Sequence, residues 1–390
     1  STLMRSSAAS DVYKRQQVQQ LTVFEKLKKA VNEGYFEELI RKYLLENPHG
    51  CIMTLVPKKG LAAQREKELE EKLEAYRSSL SEEQLDAMVE KTKALEAYQE
   101  AGEDPKALEC IPMLKRSDIK REAAKIINEE LTVDDSLFLY HDVCTNGIGY
   151  VDLMFKTDSI APEQIPYLGL LKSVLGYVDT ENYTYGELFN EINANTGGIN
   201  CGVEVFDRAD STEEFQAMFS VRGKALYTKM DFLFKMIGEI LNSSKLEDTK
   251  RLYEIVASVK SRAQVNLTGA GHSTAVLRAA AYSSPMAAFQ DEMAGIGYYQ
   301  FIEKLEKDFE QRKEETVEEL CKLMKKILRP ENFMISYTGE RESLETVQKL
   351  AGTVKAGLGT EPVEKSKEKL TCTKKNEGFK TSGQVQYVAQ

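Results

Sequence analysis

The hydrophobic periodicity of this chain changes along its length, and the order of those changes restricts the fold more than any other feature. From Leu137 to Val221 it runs as two period-2 segments, two helical segments and two more period-2 segments. Leu137, Leu139 and His141 alternate with Phe138 and Tyr140, and Val151, Leu153 and Phe155 alternate with Asp152, Met154 and Lys156. Asn146-Gly147 between them is a two-residue turn signal, so an antiparallel hairpin is expected. Leu168, Leu171, Val174, Leu175 and Val178 then line one face of a helix over 163–178, and Thr184-Tyr185-Gly186-Glu187 is a capping box that opens another. Gly197-Gly198 ends it, and alternation resumes through Ile199, Cys201, Val203 and Val205, then Phe215, Ala217, Phe219 and Val221. Residues 223–328 read as helix with breaks near 242–244, 269–271, 283–285 and 295–297; a strand at 333–337 and a helix holding Leu344, Val347, Leu350 and Ala351 follow. The fold class this implies is α+β, an antiparallel sheet packed by helices.

The flanks differ in character. Residues 1–16 carry neither period and read as a non-native, adapter-derived segment. Residues 17–57 contain a helical pattern through Phe24, Leu27, Tyr35, Phe36, Leu39 and Ile40, stopped by Asn47-Pro48, and an expected short strand over 51–56. Residues 58–108 form a charged helical hairpin, with Leu69, Leu73 and Tyr76 on one stripe and Met88, Val89, Leu95 and Tyr98 on the other; the capping box Ser81-Glu82-Glu83-Gln84 starts its second helix. Residues 109–353 make the main domain, 354–380 a polar, lysine-rich linker, and 381–390 the first strand of a further domain, from the alternation of Val385, Tyr387 and Ala389.

Composition removes several function classes. The 52 basic and 62 acidic side chains leave a net charge of −10, which disfavours a general nucleic-acid binder. No apolar run approaches the roughly 18 residues of a membrane span, and a cytoplasmic protein with no membrane partner is expected. Six cysteines without a C-x-x-C pair read as free thiols.

Familiar catalytic patterns fail in context. The three histidines, His49, His141 and His272, are far apart, with neither H-E-x-x-H nor H-x-x-E-H. His141 and Cys144 have H-x-x-C spacing, but positions i and i+3 of a strand face opposite ways. Gly271-His272-Ser273-Thr274-Ala275 is a near miss to the G-x-S-x-G elbow; it lacks the preceding strand, and Ser273 reads instead as the N-cap at a helix–helix junction. Gly269-Ala270-Gly271 lacks the third glycine and the strand of a dinucleotide site. Glu213-Glu214 and Glu314-Glu315 read as solvated faces.

A set of strings in fixed order is more specific: Asn47-Pro48-His49, Leu137-x6-Cys144-Thr145-Asn146-Gly147-Ile148-x-Tyr150, Tyr183-Thr184-Tyr185-x-Glu187-Leu188, Thr196-Gly197-Gly198-Ile199, Gly271-His272-x2-Ala275-x2-Arg278-Ala279 and Gly295-x2-Tyr298. With these the chain, from about residue 17 onward, resembles the insulinase (pitrilysin) family of zinc metallopeptidases in its presequence-protease branch. The resemblance implies a clamshell of four α/β-roll domains closing around unfolded peptides, of which this chain would supply the end of the second domain, the connecting hairpin, the third domain and the first strand of the fourth. Zinc and the H-x-x-E-H motif would belong to a missing N-terminal catalytic half. The helix over 163–178 would be the repeat counterpart of the zinc helix, with Pro166-Tyr167-Leu168-Gly169-Leu170 where ligands would stand. No catalytic or metal residue is then expected in this chain; Thr196, Gly197 and Gly198 are the candidates for the substrate chamber, with a helix C-cap as the simpler account of the two glycines. The alternative is a peptide-binding or scaffold relative that uses the same fold without metal.

Overall fold

The computed structural model describes residues 23–211, 213–366, 370–381 and 385–390. The adapter-like segment 1–16 and the first residues of the expected 17–57 region lie outside them. The chain divides into two compact units at Ile119/Lys120.

The first unit is helical. Helices α1 (Val23–Val31) and α2 (Tyr35–Ile40), the latter running into a π turn (Arg41–Leu45), precede α3 (Leu61–Ser78), α4 (Glu82–Glu100) and the single turn α5 (Pro105–Leu108). The Ser81 box forms as read: Ser81 Oγ accepts from Gln84 N at 3.3 Å, and Gln84 Oε1 accepts from Ser81 N at 3.0 Å. Asn47 Oδ1 caps the turn after the π segment by accepting from His49 N at 2.9 Å. The strand expected over 51–56 does not form. A strand needs a neighbour for its N–H and C=O groups, and none of residues 23–119 forms a strand, so this segment runs unpaired with Ile52, Leu55 and Val56 exposed.

The second unit is built on a six-stranded sheet in the order β1-β2-β6-β3-β5-β4, where β1 is Glu129–Val133, β2 Ser136–Asp142, β3 Ile148–Lys156, β4 Ile199–Asp207, β5 Phe215–Leu226 and β6 Phe333–Gly339. All pairings are antiparallel except β2 with β6. The expected hairpin of β2 and β3 is therefore corrected: the strands run antiparallel, but β6 inserts between them. Asn146 and Gly147 do take the left-handed conformations of a turn (φ 54° and 81°), and their loop arches over the end of β6. Glu340, just past that end, plugs the arch: Thr145 N and Asn146 N donate to its Oε1 at 2.9 and 3.1 Å, and Thr145 Oγ1 donates to Oε2 at 3.0 Å. The tight hairpin is instead β1–β2, through Asp134 and Asp135 at φ 46° and 65°.

One sheet face carries Phe138, Tyr140, Leu153, Phe155, Phe219, Ile335 and Tyr337, all buried. Helices α6 (Ile165–Val174), α7 (Tyr185–Asn195), α8 (Met230–Ser243) and α14 (Leu344–Ala356) belong to that side, with α8 against β5, α14 against β6 and α6 against β4. Helices α9 (Thr249–Gly269), α11 (Pro285–Ala294), α12 (Ile296–Lys307) and α13 (Phe309–Ile327) enclose α6, and α10 (Gly271–Ala280) packs on α9 and α11. An apolar helix surrounded in this way is a core helix; Ile165, Leu168, Leu170 and Leu171 are all buried. The tail is largely exposed but tied to the domain at discrete points. Ser366 N donates to Asp158 O at 2.9 Å, and Glu377 is bound by Arg278 and Tyr282. The strand expected near the C-terminus is not formed by residues 385–390, and 382–384 lie outside the described residues; the Tyr387 ring stands 6.1 Å from that of His272.

Candidate functional site

Thr196, Gly197 and Gly198 lie together where α7 hands over to β4. Thr196 Oγ1 donates to Ile192 O at 2.7 Å and accepts from Gly198 N at 3.0 Å, closing the helix end on its own side chain. Gly197 N donates to Lys224 O at 2.7 Å. Each glycine has a separate steric reason. A methyl group on Gly197 would come 2.6 Å from Lys224 Cγ, and Gly198 has φ +106°, a region that side chains strain to adopt.

The strand these residues start is an edge. Among the described residues β4 pairs only with β5, so along its other side the backbone N–H and C=O groups have no sheet partner there, a ready template for an extended chain. Beside that edge the sheet face turned away from the core helices carries a charged row, next to the buried side chains of Met154 and Met218. Arg222 on β5 joins Asp152 on β3 and Glu204 on β4, with Nε 2.8 Å from Asp152 Oδ2 and Nη1 3.2 Å from Glu204 Oε1. Burial raises the Asp152 pKa against the pull of Arg222, while the hydrogen bond to Asp152 raises that of Arg222. Among the described residues Asp152 Oδ1 and the hydroxyl of Ser220, 1% exposed, have no hydrogen-bond partner. Sequence reasoning missed this charged row because the apolar alternation it rests on ends at Val221; the continuation of β5 through Arg222, Gly223, Lys224 and Ala225 places Arg222 and Lys224 opposite the core face.

The other predicted groups do not assemble into a reaction centre. His141 is satisfied on both nitrogens, Nδ1 at 2.7 Å from Ile127 O and Nε2 at 3.1 Å from Ser336 Oγ, and Cys144 is exposed beside Asn146. Ser273 is not an N-cap: α10 begins at Gly271, its cap position is Ala270, and Ser273 stands inside the first turn. The junction was legible, but at Gly269-Ala270-Gly271 the chain turns three residues earlier. Zinc has no fitting donor set here. The positions where the resemblance would put ligands, Pro166 to Leu170 on α6, are buried in the core, and among the described residues no group of three or more His, Cys, Asp or Glu side chains converges. No helix among the described residues is long and apolar enough to cross a membrane.

Comparison with known proteins fits this arrangement. The chain is 35% identical over 366 residues to "Protein HypA" of Clostridium perfringens, covering 94% of this chain and 37% of that protein. It is 27% identical over 355 residues to "Presequence protease 1, chloroplastic/mitochondrial" of Arabidopsis thaliana, covering 89% and 33%, and 27% identical over 278 residues to "Presequence protease, mitochondrial" of Yarrowia lipolytica, covering 71% and 28%. The chain thus spans about a third of the length of these relatives. Residues 55–305 match the peptidase M-16C associated family, and the chain belongs to that family.

Proposed function

We propose that this chain is a non-catalytic portion of a longer zinc-dependent endopeptidase that encloses and degrades unfolded peptides. In this reading its α/β-roll domain, residues 109–353, supplies one wall of the chamber, and the hairpin 58–108 is the connector. Residues 17–57 and 381–390 belong to neighbouring domains, and the N-terminal half brings the metal. The carrying observation is the pairing of an open β4 edge with a charged row on the sheet face beside it, on a unit whose zinc-helix counterpart, α6, is apolar and buried. An unfolded peptide can add to that edge through its backbone without regard to sequence, and the charged row can hold its side chains and water. Thr196, Gly197 and Gly198 stand at the start of the edge, where a peptide running along β4 would pass. Free thiols at Cys51, Cys110 and Cys144, exposed and unpaired with one another, suit a reducing cytoplasmic setting.

The test uses an unstructured peptide of about 30 residues with two samples, the chain alone and the protein encoded by the complete reading frame. The expected result is no cleavage by the chain and chelator-sensitive cleavage by the complete protein. Peptide binding by the complete protein without metal-dependent cleavage would favour the scaffold alternative, and cleavage by the chain alone would sink the division of roles.

A further inference from the structure

A cavity of about 390 Å³ opens between α6, α9, α10 and the α11–α12 junction, within the size range of small-molecule sites. Val259, Leu267, Leu277 and Met293 make its walls largely apolar, and Lys172, Arg262 and Tyr298 bring polar groups to it. Gly169, Lys172 and Ser173 share one face of α6, three and four residues apart. The Tyr298 ring lies directly on Gly169, where a methyl group would come 2.7 Å from Cε2. Ser173 Oγ donates to Gly169 O at 3.4 Å and stands beside the Tyr298 hydroxyl. Among the described residues no group meets Oη of Tyr298, 5% exposed, in ordinary hydrogen-bond geometry. A buried hydroxyl in that state costs about 1–3 kcal/mol until something pairs with it.

The cations around it are also uncommitted. Among the described residues neither Lys172 nor Arg262 has a carboxylate within ion-pair distance. Glu204, the acidic group whose charge Lys172 feels, is held by Arg222 at 3.2 Å. Burial works against the charge on Lys172, so an anion entering beside it would relieve a cost already present in the fold. Apolar walls around two cations and one phenol suit a ligand with a single negative head and an apolar body better than a bare inorganic anion.

The geometry points to a binding site for a small carboxylate with an apolar body, the head held by Lys172 and the Tyr298 hydroxyl and the body by Val259, Leu277 and Met293. Arg262, exposed at the rim, attracts the head from solvent. The assignment does not depend on the peptidase reading.

The test is calorimetric titration of the whole chain with N-acetyl-leucine, which mimics a peptide C-terminus, with octanoate, a free acid, and with N-acetyl-leucinamide, which keeps the body and loses the charge. Saturable binding of at least one acid is expected, with the amide at least tenfold weaker than N-acetyl-leucine where that acid binds. The preference between the two acids identifies the source of the carboxylate. Lys172→Met should weaken the acid at least tenfold, Tyr298→Phe several-fold, and Arg262→Met less than Lys172→Met; the exposed Arg262 variant serves if the buried ones unfold, as thermal melts would reveal. Failure of both acids to saturate, equal binding of the amide, or indifference of the acid to both Lys172→Met and Arg262→Met would overturn the assignment.

Discussion

Arg278 Nη1 lies 2.6 Å from Asp291 Oδ2 at the meeting of α10, α11 and α12, where Asp291 is buried and Arg278 partly so. Asp291 does more than pair. Its Oδ1 accepts from Ile296 N at 3.0 Å and its Oδ2 from Gly297 N at 3.1 Å, capping the helix that carries Tyr298. Two of the strings that carried the family resemblance, one holding Arg278 and the other running from Gly295 to Tyr298, therefore meet at one carboxylate. Removing the guanidinium leaves a buried charge with only amide partners. Arg278→Met should cost about 3–5 kcal/mol of stability, read from urea unfolding. Because the pair acts as a unit, Arg278→Met with Asp291→Asn should cost less than the sum of the single changes; full additivity would mean that the two side chains are not coupled.

The other edge of Arg278 ties down the tail. Its Nε donates to Glu377 Oε2 at 2.8 Å, and the Tyr282 hydroxyl donates to the same oxygen at 2.6 Å. These hydrogen bonds from Arg278 and Tyr282 hold the Glu377 carboxyl down from 4.5 to about 2. The ionised form is the one that binds, so the sign is fixed. Docking is complete above pH 4.5 and is lost as pH falls from there toward 2. Protection of amides in residues 370–381, taken against the intrinsic exchange rate at each pH, should fall over that window. Glu377→Gln should show the lowered protection at neutral pH, and full protection in that variant would remove Glu377 as the anchor.

The alternating segments placed five of the six strands, and for β3, β4 and β5 the row turned to the core, because burial of one face leaves a period-2 record. They did not give strand order. β6 enters between β2 and β3 from nearly two hundred residues away, and a local turn signal such as Asn146-Gly147 carries no information about what its loop spans. β1 was missed for a related reason: Glu129, Glu130 and Thr132 make a polar edge with little apolar alternation. The 51–56 segment has strand-like residues but no strand to pair with among residues 23–119. Of the candidate site, the glycines at the head of β4 were legible, whereas the Asp152–Arg222–Glu204 row needed the register of three strands. The cavity needed five helices brought together.

Gly197 and Gly198 separate steric from functional demands. Gly198→Ala places a side chain at φ +106° and should cost about 1–3 kcal/mol. Gly197→Ala collides with the stem of Lys224 rather than with backbone. Pairing it with Lys224→Ala should recover most of its loss in a thermal melt, since the obstructing methylenes are gone; no recovery would mean that Gly197 is required by something other than Lys224.

Thiol reactivity should divide the cysteines by environment. Cys201, on β4 and packed against the core cluster, has its thiol pushed up to about 12 by burial, so almost no thiolate is present at mildly alkaline pH. Cys51, Cys110 and Cys144 are exposed. Iodoacetamide under those conditions should label these exposed thiols in the folded chain and leave Cys201 untouched until denaturant is added, as peptide mass spectrometry would record. Rapid labelling of Cys201 in the native chain would mean that β4 detaches from β5 readily. The edge strand would then be too mobile to serve as a template for a peptide, which ties this chemical measurement directly to the proposed role of β4.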